Sequence, residues 1–133
     1  MIYAMAAMIL LVFLVACFTF KVRVASIKSK QVNLRYFQLM QGENLPEIVM
    51  KTNRHLTNLF EVPVLFYVVA TLYVSLHIDS QIGITLAWLF VALRYLHTFI
   101  HLSSNHLMYR MLSFWASFLC VIGLWINLLI QMP

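Results

Sequence analysis

From Met1 to Phe20 the chain carries no charged side chain, and stretches nearly as bare recur at 62–78, 80–93 and 111–130. These runs limit the fold more than any other property of the sequence. About 20 apolar residues cross the roughly 30 Å hydrocarbon core of a bilayer, and inside it every backbone N–H and C=O needs an internal partner. Helices or a closed barrel meet that demand. The shortage of alternating polar residues and the presence of only three glycines set the barrel aside. With 63% hydrophobic and 10% charged residues, against about a quarter charged in a soluble domain, the chain reads as all-α, an integral membrane four-helix bundle. Its 133 residues form one domain, 1–133, with helices about 2–21, 46–77, 80–103 and 108–131. No space is left for an appended soluble catalytic domain, so any chemistry must come from helix faces and short loops.

The first run lacks the positive start of a signal peptide, and its positives follow instead at Lys21, Arg23, Lys28 and Lys30. It is therefore expected to be retained, with its N-terminus outside. A long polar connection, 21–45, contains Arg35-Tyr-Phe37, and Gln41 to Pro46 reads as a turn with helix-start signals. Asp79 or Ser80 is expected to cap the third span. All nine Lys and Arg then fall on one side of a four-span topology. The positive-inside rule places both termini on the non-cytoplasmic side and the basic loops in the cytoplasm, at the inner membrane in a bacterial setting. The net charge of +5 thus belongs to membrane topology and anionic headgroups, and no nucleic acid partner is expected.

Arg54, Asn58 and Glu61 are spaced i, i+4, i+7 and share one helical stripe. Arg94, His97, His101 and Asn105 form a second stripe at i, i+3, i+7, i+11, and Arg110 opens the fourth helix. To cross the bilayer the third helix must take Arg94 in with it, because its bare run 80–93 is too short. In the expected topology three helices bring these groups to one layer near the cytoplasmic surface. Ionisable groups at such depth face protein or water and mark a functional site by default. The structural alternative has Arg54 and Arg94 reaching the interface while Glu61 ties the bundle together. Three arginines set against one carboxylate leave positive charge that suits an anionic ligand.

Arg54-x3-Asn58-x2-Glu61 with Pro63 close by resembles the second-helix signature of the MAPEG family, the membrane-associated proteins of eicosanoid and glutathione metabolism. Arg94-x2-His97-Thr98 followed by Arg110 is similar to its prostaglandin synthase branch, and the chain looks like a bacterial-type member over essentially its whole length. The resemblance implies a homotrimer that binds glutathione as co-substrate between subunits. Arg54, Asn58, Glu61, Arg94, His97 and His101 would then hold the tripeptide, with Arg23 as a further basic contact. Arg110 resembles the arginine that activates the glutathione thiol, since a fixed positive charge favours a thiolate. The implied activity is that of a transferase or peroxidase acting on a hydrophobic small molecule or lipid. His101 departs from the tyrosine found in several members, which leaves turnover less secure than binding. The family also includes a lipid-binding member without catalysis, so the alternative is a non-catalytic scaffold or lipid-binding protein of the same fold.

His97 and His101, i and i+4 with His106 close by, have metal-ligand spacing. No further His, Cys or Asp cluster on another helix completes a coordination shell, so no metal is expected. Cys17 and Cys120 each lie in an apolar stretch. They read as packing residues, with a reactive thiol or a bridge as the alternative.

Overall fold

The computed structural model describes residues 1–39 and 45–132. Five helices follow in order: α1 (Ile2–Lys28), α2 (Leu34–Leu39), α3 (Glu47–Ser75), α4 (Gln81–Leu102) and α5 (Leu107–Gln131). Four of them, α1, α3, α4 and α5, are long and apolar enough to cross a membrane, and no strand occurs among the described residues. The fold is therefore an all-helical four-span bundle. The turn expected over Gln41 to Pro46 falls largely outside the described residues.

One expectation for the first helix does not hold. α1 does not stop near residue 21 but continues to Lys28. The reason lies in what the extra turns touch: Ser26 is buried, and Arg23 reaches Asn53 of α3. Lys28 sits in the last turn, where a cation meets the negative end of the helix dipole. α2, a short helix inside the long polar connection, was not legible as a separate element.

α3 begins after Pro46, with Glu47 in its first turn and an i,i+4 pair between Lys51 and Glu47 at 2.7 Å. Pro63 lies inside α3 and has no N–H, so the Leu59 carbonyl loses its usual helical donor. His77 adopts a positive φ of 53° in the turn that follows. Ser80, not Asp79, then caps α4, its side chain accepting from the Gly83 N–H at 3.1 Å. Asn105 makes the corresponding turn before α5 with φ 51°, a conformation that asparagine tolerates better than most residues.

α4 packs chiefly against α5 and α1 against α3, with α3 also touching α4 and α5. The interior stripe of α3 comprises Leu59, Val62, Phe66, Val69, Ala70 and Tyr73. It meets Ala87, Phe90 and Val91 of α4, and the Phe66 and Phe90 rings stack at 4.5 Å. Met8, Leu11 and Val15 of α1 and Val121, Leu124 and Leu128 of α5 complete the core. The outward faces are apolar as well, with Phe13, Phe99, Leu112 and Leu129 all exposed. Lipid is as apolar as these side chains, so helix association rests on close packing and buried hydrogen bonds.

One such set of bonds clamps the end of the bundle remote from the basic residues. Tyr73 Oη stands 2.7 Å from Asn127 Oδ1 and 3.1 Å from the Leu124 carbonyl oxygen. Ser80 Oγ donates to Asn127 Oδ1 at 2.8 Å and accepts from Gln131 Nε2 at 2.8 Å. Gly83 lets α4 approach closely enough for this, because a Cβ there would lie 2.9 Å from Tyr73 Cε1. Gly83→Ala is therefore expected to destabilise the bundle by about 1–3 kcal/mol through overpacking. A lower melting temperature in detergent would show it, and an unchanged one would mean that Tyr73 moves freely.

Candidate functional site

At the basic end of the bundle α3, α4 and α5 enclose a groove of about 230 Å³. Arg54 and Asn58 line it from α3, His97 and His101 from α4, and Arg110, Met111, Phe114 and Trp115 from α5. Arg54 and Asn58 of one stripe, His97 and His101 of the other and the start of α5 thus share one cavity. Helical periodicity accounts for the local part of this: each residue sits one or two turns from the next on its own helix.

Arg94 stands behind the groove with no exposed surface. Its Nη1 donates to Asn58 Oδ1 at 2.9 Å, while Nε and Nη2 are buried with no partner among the described residues. The guanidinium carbon lies 5.5 Å from the centre of the Phe90 ring and 5.3 Å from that of Phe114. Aromatic faces attract a cation but do not satisfy N–H donors. Arg110 is held differently. Its Nη1 donates to Asn105 Oδ1 at 2.8 Å, and the Asn105 N–H bonds the Ile100 carbonyl at 2.8 Å. The α4–α5 turn therefore sets the direction of this arginine.

Besides Arg94, two further candidates from the sequence do not line the groove within the single chain. Glu61 is near the middle of α3, exposed beside the exposed Phe60, Val64 and Leu65. Arg23 links α1 to α3, donating from Nε and Nη2 to Asn53 Oδ1 at 3.1 and 2.8 Å, with its guanidinium 5.6 Å from the Phe37 ring centre. Among the described residues the only ion pair is Lys51–Glu47, so no groove arginine has a carboxylate in direct contact, and Glu61, one turn beyond Asn58, acts on Arg94 only through space.

The structure also adds a residue that sequence reasoning missed. His55 is fully buried on α3 and packs against His97 and His101, with ring centroids 5.7 and 4.8 Å away. One ring nitrogen from each of the three histidines lies within 4.8 Å of the others. Against the expectation that no His, Cys or Asp cluster on another helix joins His97 and His101, α3 brings His55 to them. The signal was present in the interior stripe Thr52, His55, Leu59, Val62, all buried, which turns away from the stripe of Arg54. His106, the third member of the sequence grouping, is exposed and stacks near Tyr109 instead. Cys17 is exposed on α1, Cys120 is buried on α5, and both are free.

On the opposite side of α4 an apolar cleft of about 490 Å³ runs along α1, lined by Leu14, Phe18, Tyr95 and Phe99 among others. Groove and cleft are separate, and only the groove is polar.

The Arg94–Asn58 bond is open to a direct test. Asn58→Leu removes the one hydrogen bond of a buried cation and is expected to destabilise the protein by about 1–3 kcal/mol or more. Asn58→Asp, which restores an acceptor, should recover most of that loss. Equal melting temperatures for Asn58→Leu and the wild type would show that the guanidinium is satisfied elsewhere.

Comparison with protein-family models matches residues 1–130 to the MAPEG family. No curated protein and no solved structure gives a significant match.

Proposed function

The chain belongs to the MAPEG family, and from that premise we propose that it binds glutathione in the arginine-lined groove and activates its thiol for reaction with a hydrophobic electrophile or lipid peroxide. Family membership supports a glutathione-related function at a membrane in general. The observation that carries the finer reading is the charge balance of the site. Arg54 and Arg110 line the groove, Arg94 stands behind it with two unpartnered donors, and no described carboxylate makes an ion pair with any of the three. A buried charge without a partner costs several kcal/mol or more, which an anionic ligand offsets. Glutathione brings two carboxylates, a thiol that can ionise and one ammonium.

Within this proposal the residues divide by chemistry. Arg54 receives a carboxylate in the groove, Arg94, held by Asn58, adds positive charge from behind the wall, and His97 and His101 form the wall beside the thiol. Arg110, aimed by Asn105, stabilises the thiolate. Glu61 supports a subunit-bridging site. A carboxylate near the middle of a span on an apolar outward face is expensive against lipid. A second copy of the chain covering that face would bring Glu61 to the ligand ammonium, in keeping with a homotrimer. Arg23, already bonded to Asn53, acts as a contact only if a neighbouring subunit's ligand reaches it. The gathering of basic residues at this end supports a topology with the groove toward the cytoplasm and both termini across the membrane.

A second reading has its own observation. The apolar cleft between α1 and α4 suits an acyl chain, so a lipid-binding protein in which the polar layer only ties helices together is the rival. Purified protein separates the two. Under the enzyme reading glutathione raises the melting temperature and a chromogenic electrophile turns over. Binding without turnover favours a carrier, and neither response favours the scaffold.

Two substitutions test the assigned roles. Arg110→Ala should abolish the ultraviolet absorbance of bound thiolate while glutathione affinity stays within about a few-fold, since only the thiol loses its charge partner. Undiminished thiolate absorbance would remove Arg110 from the mechanism. Glu61→Gln should weaken glutathione binding about 10- to 100-fold, the equivalent of one charge-assisted hydrogen bond. Calorimetry giving the wild-type affinity would reassign Glu61 to structure.

A further inference from the structure

We propose that His55, His97 and His101 form a binding site for a single divalent transition-metal ion of the zinc type. They come from α3 and α4, are each at least nine-tenths buried, and present ring nitrogens that all lie within 4.8 Å of one another.

The hydrogen bonds around the cluster decide which nitrogen each ring presents. His55 Nε2 lies 2.9 Å from Thr98 Oγ1, and that hydroxyl spends its own proton on the Arg94 carbonyl at 2.9 Å. Thr98 therefore accepts, Nε2 carries the proton, and the buried Nδ1 of His55 is left with a bare lone pair. His97 Nδ1 lies 3.1 Å from the Arg110 carbonyl oxygen, which can only accept, and 3.0 Å from Ser113 Oγ, whose own proton goes to the Tyr109 carbonyl at 2.9 Å. Its proton is thus on Nδ1, and Nε2 is bare. Both bare nitrogens, together with His101 Nδ1, are buried and without a partner among the described residues. Two bare acceptors beside a third unpartnered ring nitrogen are unusual in a protein interior. Backbone and hydroxyl partners that set the tautomer of the outer nitrogen are the usual support of metal-binding histidines.

Distance and charge narrow the ligand. Zinc–nitrogen bonds of about 2.0–2.1 Å bring tetrahedral ligands to about 3.3 Å from each other, so each ring moves inward by less than about 1 Å. Imidazole sets suit zinc, copper and nickel, whereas calcium and magnesium require oxygen ligands. Three neutral histidines leave the charge of the ion uncompensated beside Arg94 and Arg110. The fourth position therefore takes an anion, and the groove that His97 and His101 line supplies the way in. The site does not depend on glutathione being the ligand of that groove.

The test uses tag-free protein in detergent, stripped with a chelator and titrated with cobalt(II) in chloride buffer. One equivalent of cobalt per chain should give the intense visible ligand-field bands of a four-coordinate site, and zinc should displace it. His55→Ala should weaken cobalt binding at least tenfold, whereas His106→Ala and His77→Ala should not change it. Because His55 is fully buried, His101→Ala, nearer the groove, is the second variant, with helical content measured for each. Absence of a saturable band in the wild type, as for a cluster that holds only water, overturns the proposal. So does a band that keeps its affinity in either histidine variant that folds.

Discussion

A guanidinium with no exposed surface, in the middle of a helix that crosses a membrane, is the constraint to which the rest of this structure conforms. Arg94 cannot be left to lipid, where a charge at this depth costs several kcal/mol. The bundle answers with one hydrogen bond accepted by Asn58, two aromatic rings and the shelter of three helices. Two donors nevertheless remain unmatched among the described residues. The fold thus holds a cation in place with part of its hydrogen-bonding capacity unused.

The two ends of the bundle use polar groups in opposite ways. At one end Tyr73, Ser80, Asn127 and Gln131 satisfy one another and tie α3, α4 and α5 together. There the close approach at Gly83 replaces hydrophobic attraction, which is absent between helices in lipid. At the other end polar groups outnumber their partners, and the space between the helices opens into a groove. Rigidity at the first end keeps the second in register, because α3 and α4 run the full distance between them.

The turn between α4 and α5 links local conformation to the site. Asn105 takes a positive φ, closes the end of α4 through its N–H and holds Arg110 through its side chain. One residue therefore sets both the chain reversal and the direction of an arginine. Thr98 has a comparable double role, accepting from His55 while donating to the Arg94 carbonyl, and so connects the histidine cluster to the helix that carries the buried cation.

Much of this was legible in one dimension. Bare apolar runs demand spanning helices, and 3.6-residue periodicity gathers Arg54 with Asn58 and Arg94 with His97 and His101, because run length and periodicity are local properties of a chain. Family membership could also be read from those spacings, and the match over residues 1–130 agrees. The rotation of each helix about its own axis was not legible, since faces that meet lipid and faces that meet protein are equally apolar here. Packing alone turned Glu61 outward and committed Arg23 to Asn53. It also carried α1 on to Lys28 and brought His55, one residue from Arg54 but on another face, against the two histidines of α4. Sequence determined which groups reach a common depth; only the tertiary structure decided which of them meet, because that depends on contacts between segments far apart in the chain.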